Sequence, residues 1–127
     1  MAYVWVAIGS ALGGMARHGV GAWSITLMGG SFPWGTLIVN IVGSFIIGAF
    51  AGVSAVVGPP AFNEDIRLFV AVGLCGGFTT FSAFSLQTLN LIQAGDWSAV
   101  AFNVGGSVVL CILAVGLGAT LGGMAAR

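Results

Sequence analysis

The run with the most capacity for chemistry is Gly76-Gly77-Phe78-Thr79-Thr80-Phe81-Ser82-Ala83-Phe84-Ser85, in the middle of a long apolar stretch. Paired glycines followed by paired threonines sustain a helix poorly: glycine gives up the most backbone entropy, and threonine is stiff at its branched carbon. Inside a bilayer, non-helical backbone survives only where it is buried in protein or lines a polar cavity. The spacing therefore predicts a helix broken near residues 76–79. Carbonyls freed by such a break can coordinate a cation, and the hydroxyl-capped N–H groups that open the next helix favour an anion. The competing arrangement is an unbroken helix whose glycines serve packing and whose hydroxyls bond back to their own carbonyls.

Past the break two faces separate. Phe81 and Phe84, three residues apart, share one side of a helix, and phenyl rings carry an electropositive edge that can face an anion shedding water. Ser82, Ser85 and Thr88 form a second stripe at the same spacing. Further polar stripes lie elsewhere, Thr36, Asn40 and Ser44 in one apolar stretch and Asn103 and Ser107 in another. Asn40 stands out because a primary amide in a bilayer must find partners and can donate two hydrogen bonds. Every such stripe also suits hydrogen bonding between helices. The acids, Glu64, Asp65 and Asp96, all fall in loops. Neutral donors without a titrating carboxylate suit an anion better than a cation or a proton pump. Arg17 and His18 are the other polar residues within a span; Arg17 can snorkel to the interface or supply a positive vestibule.

The elements that must position these groups follow from composition. Of 127 residues 58% are hydrophobic and 5% charged, against about 25% charged in a soluble domain. Lysine is absent, and three arginines balance three acids. That excludes a basic nucleic-acid binder and a polybasic membrane attachment. The chain reads as an all-α integral membrane protein. A span needs about 20 apolar residues to cross roughly 30 Å, and four stretches qualify: residues 2–23, 34–57, 66–92 and 98–124. The breaks between them are short, so a single four-span membrane domain over residues 1–127 is expected. Pro59 and Pro60, followed by Asn63-Glu64-Asp65, end one helix and start the next, and Gly95-Asp96 marks a tight turn. The first span lacks the basic flank of a signal peptide. Trp5, Trp23, Trp34 and Trp97 sit near span ends, as interfacial anchors do. Cys75 and Cys111 read as small apolar residues. With no Ser/His/Asp, Cys/His or metal-ligand constellation, an enzyme is not expected.

Two features bear on assembly. Small-residue pairs abound (Gly9/Gly13, Gly48/Gly52, Gly73/Gly77, Gly118/Gly122) and permit close helix contact, but in a chain with 22 glycines none can be assigned to a particular interface. Four spans put Arg67 and Arg127 on one side and at most Arg17 on the other, almost no bias for the positive-inside rule. Such a chain can insert both ways and form an antiparallel dual-topology homodimer, a two-chain version of the inverted repeats in transporters. A fixed orientation is equally compatible with the charges.

The third-span run resembles the signature of the bacterial fluoride channel family, also called the CrcB or Fluc family. Gly35-Thr36 with Asn40 and Gly43 is similar to that family's second-span motif, and Gly13-Gly14-Met15-Ala16-Arg17 to its first-span segment. The resemblance covers essentially the whole chain. It implies a dual-topology homodimer in the bacterial inner (plasma) membrane, with two passive, selective pores that export fluoride and relieve its toxicity. It also implies a structural Na+ at the dimer centre, held by backbone carbonyls of Gly76 and Thr79 from both copies. Asn40, Phe81 and Phe84 match the family's pore-lining amide and phenylalanine pair, and Ser107 a fourth-span pore hydroxyl. Thr80, Ser82, Ser85, Gln87 and Arg17 are further candidates for the pore or its vestibule. Three positions depart from the family: Gln87 stands where a glutamate is common, Ala83 replaces a threonine, and Asn103 takes an often aromatic place. The alternatives are a small proton-coupled multidrug-type exporter, which needs an acid within the membrane, and a non-conducting assembly subunit that uses the stripes as glue.

Overall fold

The computed structural model describes residues 1–59 and 62–127, which form helices joined by short turns. The order is α1 (Ala2–Met28), α2 (Trp34–Val57), α3 (Glu64–Arg67), a π-helical stretch (Leu68–Cys75), α4 (Gly76–Phe78), α5 (Phe81–Gln93) and α6 (Trp97–Ala125). The third span thus runs through α3, the π stretch and α4 before it breaks and resumes as α5. Among the described residues, three segments are long and apolar enough to cross a membrane: Trp34–Val57, Glu64–Gln93 and Trp97–Ala125. The protein is a multi-pass membrane protein. At 27 residues α1 is also long enough, but Arg17, His18 and its glycines dilute its hydropathy.

Several boundaries differ from the expected ones. The first helix continues past residue 23 to Met28, because the hydroxyls of Ser24 and Thr26 bond back to the carbonyls of Gly21 (2.8 Å) and Ala22 (3.1 Å) and so do not compete with the helix. Gly29 and Gly58, with φ of 79° and 77°, then end α1 and α2. Pro60 lies outside the described residues. Asn63 caps α3 by accepting from the Ile66 amide at 2.9 Å, and Asp96 caps α6 by accepting from the Ala99 amide at 3.2 Å. Nothing in the uniformly apolar run Leu68–Cys75 signals its π-helical winding.

Two parallel helix pairs make the frame: α2 against α6, and α1 against the π stretch with α4. In the first, a methyl group at Gly48 would strike the Val115 carbonyl oxygen and one at Gly118 the Phe45 carbonyl oxygen. In the second, a methyl at Gly13 would strike the Leu74 oxygen, and one at Gly77 would lie 2.5 Å from the Ser10 oxygen. All four small-residue pairs therefore belong to seams within the chain. An aromatic cluster of Phe32, Trp34 and Phe102, with centroids 4.7–6.0 Å apart, ties the α1–α2 turn to α6. The α5 helix is packed far more lightly, chiefly against α6 and α2 among the described residues.

Candidate functional site

The third span breaks at Thr79 and Thr80, whose backbones are extended (φ/ψ −85°/159° and −154°/116°). The break falls later than the glycines, since Gly76 keeps helical angles (−62°/−37°). The glycine pair thus serves helix continuation and Gly77 the contact with α1, while the threonines interrupt the chain. Gly43 on α2 makes room for them: a methyl there would collide with Thr79 Cγ2.

Asn40 repairs the interruption. Its Oδ1 accepts from the Thr80 amide at 2.8 Å and its Nδ2 donates to the Thr80 carbonyl at 3.2 Å. One side-chain amide thereby satisfies both backbone groups of a residue forty positions away, as buried backbone requires, and one of its N–H bonds stays uncommitted. Thr80, 8% exposed, caps α5 through Oγ1, which accepts from the Ala83 amide at 3.1 Å. The Thr79 hydroxyl and amide both donate to the Cys75 carbonyl, at 2.9 and 3.0 Å.

The break takes the helical donors from the carbonyls of residues 76–79, since no amide of residues 80–83 reaches them. In a continuous helix the Thr80 amide would donate to Gly76 and the Ala83 amide to Thr79. Here the first goes to Asn40 and the second to the Thr80 side chain. Of the four residues 76–79, Gly76 and Thr79 line one groove. Main-chain carbonyls of this kind replace the hydration shell of a hard cation in membrane sites, so the two residues fit a structural Na+. Two oxygens from one chain are too few to surround it, and a second copy would double them.

The groove, of about 480 Å³, lies between α2, the third span and α6. It gathers Asn40, Gly76, Thr79, Thr80, Phe81, Phe84 and Ser107. The Phe81 and Phe84 rings sit 5.4 Å apart, inclined by 42°, and Phe81 is 79% exposed on the single chain. Ser107 is 8% exposed, with its hydroxyl free of partners. Asn40 and Ser44 both reach the groove, whereas Thr36 of the same stripe does not.

Other candidates sit elsewhere. Ser82 and Ser85 are exposed; Ser85 bonds back to the Phe81 carbonyl at 2.9 Å, and the Ser82 hydroxyl lies 3.3 Å from that of Thr80. Gln87 lines a separate cavity of about 360 Å³ with Ser24 and Asn90, and its Oε1 is buried without a partner. Arg17 lines a third cavity, of about 160 Å³, with Thr36, Val39, Thr80 and Ala83, so it flanks Thr80 outside the main groove. Two groove residues carried no functional signal. Cys75 and Cys111 are free thiols lining the groove, and Cys111 continues the Asn103, Ser107 spacing by one more helical turn. Asn103 itself points at Thr88 and is 1% exposed.

Fold and groove together define a small helical membrane protein whose interrupted third span meets neutral polar side chains of α2 and α6 at one groove. Residues 4–119 match the family described as "CrcB-like protein, Camphor Resistance (CrcB)", and the chain belongs to the CrcB family. It is 52% identical to the "Fluoride-specific ion channel FluC" of Methylocella silvestris, over 93% of this chain and 90% of that one. The protein of the same description from Paramagnetospirillum magneticum is 51% identical (93% and 92% covered). That from Thermus thermophilus is 46% identical (95% and 93% covered).

Proposed function

We propose that this chain forms a fluoride-selective channel that exports fluoride passively across the bacterial inner membrane and so relieves fluoride toxicity. The observation that carries this reading is the combination of freed carbonyls at Gly76 and Thr79 with the spare N–H of Asn40 on one groove. Relatives of about half identity along nearly the whole chain bear the matching description. Fluoride holds its water strongly, so a path must return donors as water is stripped. Asn40 offers its uncommitted N–H, Ser107 its free hydroxyl, and Phe81 and Phe84 their ring edges.

A single chain gives this path an open wall, with Phe81 exposed to the outside. Two copies inserted in opposite orientation, with α1 as a fourth span in each, would cover it and yield two parallel pores. The near-equal split of Arg17 against Arg67 and Arg127 permits such dual insertion. The carbonyls of Gly76 and Thr79 from both copies would hold a structural Na+, which binds the two interrupted helices together. A proton-coupled exporter is disfavoured because Glu64 and Asp65 lie in the first turn of α3 and Asp96 caps α6, all at helix ends. Conduction survives the departures at Gln87, Ala83 and Asn103, because the glycines, threonines and phenylalanines of the third span are intact.

The test is passive efflux from liposomes holding the purified protein, with chloride and an imposed proton gradient as controls. Fluoride efflux that is fast, chloride-excluding and independent of the gradient is expected. Negligible fluoride efflux sinks the proposal, equal chloride efflux removes its selectivity, and strict gradient dependence turns it into a transporter. Labelling one terminus from each membrane face checks dual insertion: both faces should react.

A further inference from the structure

Among the described residues, every side-chain hydrogen bond between two different spans joins an asparagine to the third span at or beyond its break. Asn40 of α2 grips Thr80 at the start of α5. Asn103 of α6 grips Thr88 just over two turns further on, donating from Nδ2 to Thr88 Oγ1 at 3.0 Å. The Thr88 hydroxyl in turn donates to the Phe84 carbonyl at 2.7 Å. That proton is committed, so Thr88 can only accept from Asn103, and the direction of the whole path is fixed.

Geometry gives the second grip its meaning. A helix held at one end can still roll and tilt about that point; a second hold along its length removes both freedoms. Within one chain the rest of α5 is lightly held: Phe81, Leu86 and Leu89 face outward at 79%, 60% and 48% exposure, and Leu91 is its one buried residue. For packing alone an apolar residue would serve better at position 103, because Asn103 Oδ1 is buried with no partner, an uncompensated cost.

We infer that Asn103 is a positioning residue of the groove: through Thr88 it sets the roll and tilt of α5 and thereby the placement of the Phe84 and Phe81 rings. This rests on the reading of the groove as a fluoride path. The experiment compares fluoride efflux from liposomes for the unaltered protein, T88V, T88S, N103L and the T88V/N103L pair, with amide hydrogen exchange of α5 measured in detergent. Valine keeps the shape of threonine without its hydroxyl. T88V and N103L should each slow efflux about fivefold, the effect of one interhelical hydrogen bond in a membrane. The pair should be no slower than either single change, T88S should stay within about twofold of the unaltered protein, and α5 should exchange faster in T88V than in T88S. T88V at the unaltered rate, additive losses in the pair, or T88S as slow as T88V would overturn the inference. If N103L does not fold, the contrast between T88V and T88S decides alone. If the unaltered protein passes no fluoride, the proposed function falls, and exchange decides the positioning role: equal α5 exchange in T88V and T88S overturns it, faster exchange in T88V upholds it.

Discussion

The α2–α6 seam and the α5 helix are held in place by opposite means. Along the seam, glycines bring backbone against backbone, and no side-chain hydrogen bond crosses it among the described residues. Lipid tails are as apolar as leucine, so close packing of this kind is what drives helices together in a bilayer. The α5 helix cannot be fixed that way, because its thirteen residues include no glycine. Two asparagines hold it instead, at Thr80 and Thr88. Polar side chains thus hold the helix that lacks glycines.

The comparison breaks most sharply if the seam is forced apart. Gly118→Val would drive a branched side chain into the Phe45 carbonyl and to within about 3 Å of the Ala49 amide, and neither backbone atom can swing away. Overpacking costs about 1–3 kcal/mol, and a clash with two fixed backbone atoms belongs at the upper end. The expected outcome is little or no monodisperse protein after extraction, with a clearly lower unfolding temperature for whatever survives. Unchanged recovery would mean that the α2–α6 seam yields easily.

Next in size is Asn40→Leu. It strips both partners from the Thr80 backbone, and each buried group left unpaired costs about 1–3 kcal/mol. The glycine seams are untouched, so the protein should still be recovered folded. Fluoride efflux should nevertheless fall more than about tenfold, as a loss above about 1.4 kcal/mol at the path implies. Efflux close to that of the unaltered protein would show that the amide neither holds the break nor faces the ion.

What the residue pattern revealed follows the same division. Local conflicts were legible: two glycines and two threonines in one apolar run announced a broken helix, and an amide at position 40 announced a partner. Neither could say where the break falls or who the partner is. Gly77 turned out to pack on α1 and Gly76 to continue the helix, while the threonines took the extended backbone, and that choice depends on Gly43 of another helix leaving room for Thr79. The partner of Asn40 lies forty residues away, and a period of three or four reports only neighbours on one helix. The seams were illegible for the opposite reason, because too many equivalent glycine pairs compete in one sequence. The hydroxyls of Ser85 and Thr88 bond back within α5, as an unbroken helix would also have required, so the stripe alone could not distinguish a polar path from self-satisfied side chains.

A smaller effect is expected at the α5 cap. Thr80→Val removes the oxygen that accepts from the Ala83 amide while leaving the Asn40 clamp on the backbone intact. Loss of such a cap costs about 1 kcal/mol, and Thr80→Ser should restore it. The unfolding temperature in detergent should fall modestly for valine and recover with serine. A drop as large as that of Asn40→Leu would mean that the side chain of Thr80, and not its backbone, anchors the helix.

The smallest change sharpens the comparison most, because it stays on α6. Gly105 sits thirteen residues before Gly118 on the same helix, yet a methyl group there would meet nothing within 4 Å. Replacing glycine by alanine inside a helix relieves backbone entropy worth up to about 1 kcal/mol. Gly105→Ala should therefore leave fluoride efflux unchanged and raise the unfolding temperature slightly, the reverse of Gly118→Val. If it lowered both, some surface outside this chain would have to lie against Gly105. A second copy packed on that face of α6 would then add a contact beyond the one proposed at the open wall beside Phe81.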